Sequence, residues 1–343
     1  MVPLEDARRA VRAALAAAAR LHARRDELAP ALAASTGLSL EGVLLGFESL
    51  ERAATDDDVA RLAASVEPAE EAAVILSANV FVAPLRALVL ARASAPRVRV
   101  RASRREPVFA RALVEELGDP AITLEPDLDV AAVRRGVIWI YGRDETVADV
   151  RARARVPVLA HGAGMGVALL SAAAATGGSA EAIARDVVAF DQRGCMSPRL
   201  VLVEGDAARA SAIGVALHEA LGASAVPRGV VDPEERAAAR RWADTLAMAG
   251  ELHAGARHAV GVAPEGAPLA VPPPGRHVHV APFRDRGALA ASAARLAPAV
   301  VAVGVDDASA PLARSLFPDA RALPLGAMQR PPLDGPVDQR RTS

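Results

Sequence analysis

Residues 136–162 read GVIWIYGRDETVADVRARARVPVLAHG and decide the fold class. The apolar run 136–142 predicts a buried strand, the charged stretch 144–153 predicts a helix, and 156–162 is again apolar and strand-like. A strand, a helix and a second strand in so short a stretch predict a βαβ unit with parallel strands. The same alternation continues on both sides, so we expect an α/β protein with doubly wound, mostly parallel sheets.

The segments before this unit repeat its rhythm, after an N-terminal part that is helical. Apolar residues at helical spacing predict helices over 1–35 and about 40–70. Strands are then predicted at 72–77, 97–102 and 121–125, and helices at 81–92 and 107–117.

A second series of helices and strands begins near residue 170. Its predicted helices cover 179–190, 206–221, 233–249 and 287–296, and its predicted strands 199–204, 277–282 and 300–305. The sequence therefore predicts three parts: N-terminal helices with a nucleotide-binding α/β domain over 1–168, a catalytic α/β domain over 169–325, and a polar tail over 326–343.

Length and composition exclude several classes of protein. A chain of 343 residues is long enough for about two domains at ~150 residues each. Forty basic and 41 acidic residues leave no field that would attract nucleic acid or an anionic membrane, and 3% aromatic residues make base stacking improbable. The chain contains no lysine, which excludes a Schiff-base lysine and a Walker A lysine. No signal peptide or long apolar span is evident, so we expect a cytoplasmic protein without a membrane partner.

The only cysteine, Cys195, lies in the loop sequence GCMSP directly before a predicted strand. A loop thiol at the edge of a strand can be accessible, as a nucleophile must be. The alternative interpretation is that Cys195 is a small buried apolar residue. Both interpretations stay open, whereas a disulfide within the chain and a thiolate zinc cluster are excluded.

Two polar residues follow predicted strands at positions suited to chemistry. Asn79 could donate its amide to a developing oxyanion, or it could cap the helix that follows. His161 ends a strand and precedes the small residues of GAGMG, which resemble a dinucleotide loop only loosely.

The other histidines carry no metal prediction. His277 and His279 alternate along one strand, but no ligand-type residue lies at metal spacing, so we expect a half-exposed strand and no metal. His253 and His258 are predicted to lie at the surface.

Arginines are concentrated at 97–106, where a strand leads into a helix. The stretch could be a solvated strand edge. Ser103, Arg104 and Arg105 also stand where a nucleotide ribose or phosphate would bind, because guanidinium groups bind phosphate in a bidentate manner.

Taken in order, four segments resemble the aldehyde dehydrogenase superfamily. They are SANVF (77–81), VRVRASR (98–104), YGRDETV (141–147) and GCMSPRLVLV (194–203). The segments PVLAHGAG (157–164) and GAMQRPPLDGP (326–336) are most similar to the LuxC-like acyl-CoA reductases. The resemblance implies two doubly wound α/β domains with a cofactor and substrate cleft between them.

The resemblance also implies roles for individual residues. Cys195 would be the nucleophile, Asn79 the oxyanion donor, and His161 a further catalytic residue. The implied cofactor-binding residues are Ser77, Ala78, Arg101, Ser103, Arg104, Gly142, Arg143 and Gly162. The implied cofactor is NADPH or NADH. Arg104 stands where many NAD-preferring members have Glu, and an arginine there favours the 2′-phosphate of NADPH.

The implied reaction is NAD(P)H-dependent reduction of an activated acyl group, such as an acyl-CoA, to an aldehyde through a cysteine thioester. The small-molecule substrate would not be hydrolysed, because the glutamate base of hydrolytic members is missing near His161. One alternative is an oxidative aldehyde dehydrogenase that uses His161 as base. Others are a non-catalytic descendant that binds nucleotide or a partner protein, and an unrelated α/β protein with a buried cysteine. The usual oligomerisation hairpin is missing before Asn79, which leaves the oligomeric state open.

Overall fold

The structure is a computed structural model that describes residues 4–50 and 53–340. The chain forms two compact units, one reaching to Ala163 and including Pro332–Val337, the other comprising Gly164–Pro331 and a short segment from Asp338. The segment 332–337 thus packs with the first unit, whereas the sequence predicted a separate tail from 326. The side chain of Arg86 holds this segment by donating to the carbonyl oxygens of Gly335 at 2.6 Å and Pro332 at 2.9 Å.

The first unit begins with four helices rather than the two predicted. They are α1 (Leu4–Ala23), α2 (Arg25–Thr36), α3 (Leu40–Glu48) and α4 (Asp56–Ala64). The left-handed Gly37, with φ 72°, ends α2, and a capping box between Thr55 and Asp58 starts α4. Residues 1–3 and 51–52 of the predicted helical regions lie outside the described residues.

A five-stranded, fully parallel sheet forms the centre of the first unit. Its strands are β1 (Ala72–Ile75), β2 (Val98–Arg101), β3 (Ile122–Leu124), β4 (Val137–Tyr141) and β5 (Val158–His161), and its connecting helices are α5 (Pro84–Ser94), α6 (Val108–Leu117) and α7 (Asp144–Arg153). The order β3-β2-β1-β4-β5 reverses direction between β1 and β4. Such a reversal opens a crevice at the carboxyl ends of the strands, where α/β proteins bind ligands.

The second unit contains a seven-stranded sheet in the order β12-β11-β6-β7-β10-β9-β8. Its strands are β6 (Met165–Leu170), β7 (Pro198–Glu204), β8 (Glu251–Ala254), β9 (Ala259–Val262), β10 (His277–Phe283), β11 (Val300–Val305) and β12 (Arg321–Pro324). Among the strands of the described residues, only the edge strand β8 pairs antiparallel. The helices are α8 (Gly177–Val188), α9 (Ala207–Gly222), α10 (Pro233–Ala249), α11 (Arg286–Ala294) and α12 (Ala310–Leu316). The mostly parallel α/β architecture predicted from the sequence is confirmed.

Three histidines are more buried than predicted. His277 and His279 lie in β10, where neighbouring strands and both covered faces leave them 6% and 1% exposed, so the predicted half-exposed strand is wrong. His258, predicted at the surface, is buried and lies 3.0 Å from His218, measured between Nε2 and Nδ1.

Among the described residues, no single helix is both long and apolar enough to cross a membrane. The pair Arg25–Thr36 and Leu40–Glu48 reaches that length and composition only jointly, and it is bent by 114°.

Candidate active site

The carboxyl edge of the first sheet carries all the cofactor-binding residues predicted from the sequence. Parallel strands end at the same edge, so the residues that follow them come together. Ser77 and Ala78 follow β1. Arg101 ends β2, and Ser103 and Arg104 follow that strand. Gly142 and Arg143 follow β4, and Gly162 follows β5. Asn79 and His161 lie at the same edge.

The turns after β4 and β5 are bonded to each other. The Gly142 N–H donates to the carbonyl oxygen of His161 at 3.2 Å, and the Ala163 N–H donates to Asp144 Oδ1 at 2.9 Å. A Cβ at Gly162 would lie 2.6 Å from Asp144 Oδ1, so a larger residue there would displace the Asp144 carboxylate that accepts from Ala163. The ring of His161 stacks on Tyr141 with centroids 4.6 Å apart, which fixes the orientation of the imidazole.

Asn79 lies in the turn between β1 and α5 and does not cap a helix. Helix α5 begins at Pro84 with Ala83 as its N-cap, so the helix-cap interpretation of Asn79 is wrong. The Asn79 side chain is exposed, and its Oδ1 accepts a hydrogen bond from Arg105 Nη2 at 3.1 Å. This bond turns the amide NH₂ away from Arg105 and leaves it as a donor without a protein partner among the described residues.

Arg101 fits the phosphate-bearing cofactor that the resemblance implies. Its guanidinium is half-buried at the end of β2, and within the described part of the chain no carboxylate lies at ion-pair distance. Burial lowers the pKa of Arg101 and the neighbouring cations Arg153 and Arg104 lower it further, whereas the Asp149 carboxylate opposes this shift. A partly desolvated guanidinium group that forms no close ion pair favours an anionic ligand such as phosphate.

Cys195 belongs to the second unit, at the amino end of β7. The Cys195 side chain is half-buried. Gly166 of β6 lies so close to the backbone of the neighbouring Met196 that a Cβ on Gly166 would be 2.1 Å from the Met196 carbonyl oxygen. The GAGMG run (162–166) leads into β6, a central strand of the second sheet, and not into a dinucleotide-binding loop. Desolvation raises the pKa of the Cys195 thiol to about 11, with a contribution from the Asp338 carboxylate that Arg340 opposes.

The turn before Cys195 has an unusual backbone. Phe190, Asp191 and Gln192 adopt φ values of 54°, 51° and 63°, in the left-handed region. Non-glycine residues in this conformation cost about 1–2 kcal/mol each and rarely occur consecutively. No feature of the sequence marks this left-handed turn (190–192), because glycine is absent from it. Strain of this kind concentrates at functional sites.

Alkylation of Cys195 is expected to be slow at neutral pH and to accelerate steeply with pH. The thiolate is the nucleophile, so the iodoacetamide rate should rise about tenfold per pH unit up to about pH 10. Since the chain has a single cysteine, the rate reports this thiol alone. In denaturant the midpoint should fall to about pH 8.5. A plateau already reached at neutral pH in the folded protein would contradict the raised pKa.

Comparison with known proteins identifies the family. The family model "Acyl-CoA reductase (LuxC)" matches residues 63–295, which is more than half of the chain. No curated protein sequence matches the chain closely enough to count as a relative.

Solved structures of aldehyde dehydrogenase type share the fold. An oxidoreductase from Marinobacter aquaeolei has a TM-score of 0.70 at 13% identity, covering 96% of this chain and 79% of its own. A putative aldehyde dehydrogenase from Burkholderia cenocepacia has a TM-score of 0.70 at 16% identity, covering 95% and 81%. For an NAD-dependent benzaldehyde dehydrogenase from Corynebacterium glutamicum the values are 0.65, 15%, 92% and 80%. The chain therefore belongs to the LuxC acyl-CoA reductase family of oxidoreductases and has the aldehyde dehydrogenase fold.

Proposed function

We propose that the protein reduces an acyl thioester, such as an acyl-CoA, to the aldehyde through a covalent thioester on Cys195. The observation that carries the proposal is the placement of the only cysteine in the short loop between a strained left-handed turn and a central strand. Two features of the first unit support it. The Asn79 amide is oriented as a donor, and Arg101 is a half-buried cation that forms no ion pair within the described residues.

In the proposed reaction, Cys195 Sγ attacks the acyl carbonyl carbon and the substrate thiol leaves, so the acyl group becomes a thioester on the enzyme. The Asn79 amide and the Cys195 backbone N–H donate to the oxyanion of the tetrahedral intermediate. When bound, a nicotinamide cofactor held by residues such as Arg101 and Arg104 would supply the hydride, and the aldehyde would leave with Cys195 released as the thiolate. The raised pKa of Cys195 means that the thiol must lose its proton as the substrate binds or reacts.

The end of β5 favours reduction over hydrolysis. Hydrolytic members of the aldehyde dehydrogenase superfamily carry a glutamate base near this position, whereas β5 of this chain ends in His161. A base that activates water would divert the acyl-enzyme to the free acid. The oxidative alternative, with His161 as base, predicts instead that the enzyme oxidises aldehydes with NAD(P)⁺ and that His161→Phe abolishes this activity.

Acyl-CoAs of different chain length, offered with NADPH or NADH, test the proposal. We expect consumption of the reduced cofactor and formation of aldehyde and free CoA in equal amounts. The matched control is Cys195→Ala. A wild-type protein that oxidises aldehydes but reduces no thioester would replace the proposal with the oxidative alternative.

We propose further that NADPH is the preferred cofactor and that Arg104 selects it. The exposed Arg104 follows β2 near Arg101, where its guanidinium could bind a 2′-phosphate. A charge-assisted hydrogen bond contributes about 1.5–3 kcal/mol, or about 10- to 150-fold in affinity. Arg104→Glu is therefore expected to weaken NADPH binding by about this factor and to leave NADH binding equal or tighter, as measured by fluorescence titration.

Arg134→Glu is the matched control for Arg104→Glu. Arg134 is also exposed and undergoes the same change of charge, but it precedes β4 and therefore lies toward the amino edge of the sheet. An unchanged ratio of NADPH to NADH affinity in Arg104→Glu, or an equal change in Arg134→Glu, would show that Arg104 does not select the cofactor.

A further inference from the structure

The strained turn before Cys195 is held by a buried ion pair. Asp191 Oδ1 accepts from Arg276 Nε at 2.9 Å and lies 2.7 Å from Arg276 Nη2, and both side chains are almost completely buried. Asp191 Oδ2 also accepts from the Gly229 N–H at 2.8 Å. Arg276 itself has φ 68°, so strained backbone occurs on both sides of the pair.

Arg276 ties this pair to the irregular segment before α10. Its Nη1 donates to the Val226 carbonyl oxygen at 2.7 Å and its Nη2 to the Pro227 carbonyl oxygen at 3.1 Å. Nε and both terminal nitrogens are therefore bonded, in a geometry that only a guanidinium group provides. Asp191 is thus fixed against two loops at once.

The buried side chain of Gln192 fixes the turn from its other end. Its Nε2 donates to the carbonyl oxygens of Pro198 and His277, both at 2.7 Å. Its Oε1 accepts from the His277 N–H at 2.8 Å. Pro198 begins β7, and His277 begins β10. Because Cys195 lies between Gln192 and Pro198, these bonds define both ends of the loop that carries the thiol.

We propose that Asp191, Gln192 and Arg276 are positioning residues that hold the left-handed turn and thereby present Cys195 to the acyl carbon of the substrate. The inference rests on the proposed function. A fold alone does not require three consecutive left-handed residues, and an ordinary turn would avoid the strain. Apolar residues can replace a buried ion pair without loss of stability. We therefore attribute to the directional bonds of this pair the role of fixing the geometry of the turn.

Two variants remove this restraint in different ways. Asp191→Leu/Arg276→Met replaces the ion pair with apolar side chains and removes both of its charges together. Gln192→Glu is nearly isosteric, but it removes the amide donor that bonds two carbonyl oxygens. In either variant we expect kcat to fall by about 10²-fold, the loss typical of reacting groups misplaced by about 1 Å, with little change in KM.

Alkylation of the single thiol supplies a readout that does not depend on turnover. A released loop exposes Cys195, so the midpoint of its pH–alkylation profile should fall from about 11 toward the ordinary thiol value of about 8.5. At about pH 8, alkylation should then be faster by up to about 10²-fold although kcat is lower. A contact that only stabilises the fold would not move the two rates in opposite directions in a protein that remains folded.

Arg276→Lys and Arg92→Met are the controls. Arg276→Lys keeps the charge beside Asp191 but loses the fork to the two carbonyls, so its kcat should lie between those of the double variant and the wild type. Arg92→Met breaks the half-buried pair with Asp119 in the first unit and should change neither kcat nor the alkylation profile.

Folded variants with wild-type kcat and a wild-type alkylation profile would overturn the proposal. It is equally overturned if kcat falls only in proportion to the melting temperature across all variants, Arg92→Met included. If the wild type reduces no acyl thioester, the proposed function fails. The alkylation profiles then still decide whether the three residues hold the Cys195 loop.

Discussion

Cys195→Ala is expected to reduce acyl-CoA reductase activity to below about 10⁻³ of the wild-type value, because no other cysteine can form the thioester. Cys195→Ser should be similarly inactive, since a hydroxyl group is a far weaker nucleophile than a thiol. Both substitutions are small changes at a half-buried position, so cofactor binding and melting temperature should be preserved. Stopped assays for aldehyde, together with cofactor titrations, measure the two properties separately.

Met196→Leu is the matched control for these variants. Met196 is the next residue along the loop, is partly buried, and packs against Met328 and Leu323 of the second unit. A swap of similar volume should cost less than about 1.5 kcal/mol and leave turnover within about threefold of the wild type. Appreciable reduction by Cys195→Ala would exclude the covalent route and favour direct transfer of hydride to the bound substrate.

The first unit could be predicted from the sequence because its local patterns agree with its tertiary structure. Strand β4 is an uninterrupted apolar run between Gly136 and Gly142, and its burial in the sheet matches that pattern. The residues proposed to bind the cofactor lie together for the same reason. Each follows directly from a strand end, and the parallel sheet then places all strand ends at one edge.

The second unit was predicted less completely, because several of its strands lack the expected signals. Strand β6 begins in a glycine-rich run that resembles a loop. Position 166 nevertheless requires glycine, because the backbone of Met196 lies too close for a side chain. Strands β8 and β9 are short, and β8 is exposed, so their apolar pattern is weak. The restraint on Cys195 was missed entirely, because Asp191 and Arg276 are 85 residues apart and come together only in the folded sheet.

Asn79 shows how the structure separates two interpretations that the sequence left open. One of them was a helix cap, because Asn is common at the N-cap position. In the structure the helix starts at Pro84, and the Asn79 Oδ1 accepts a hydrogen bond from Arg105. A side chain that caps nothing and is exposed contributes little to stability, so a large effect of its removal must come from chemistry.

Asn79→Ala is therefore expected to lower kcat by about 10²–10³-fold while changing KM and melting temperature little, because one oxyanion donor is lost. Asn79→Asp is the sharper variant. It keeps the size of the side chain and the bond from Arg105, but it replaces the NH₂ donor with a negatively charged oxygen. Since that oxygen would repel the developing oxyanion, Asn79→Asp should be slower than Asn79→Ala. Steady-state kinetics with an acyl-CoA substrate and thermal unfolding of both variants provide the measurement. Equal turnover in all three proteins would exclude a role of Asn79 in the reaction. An aspartate variant faster than the alanine variant would mean that the side chain acts by its size rather than by donating a hydrogen bond.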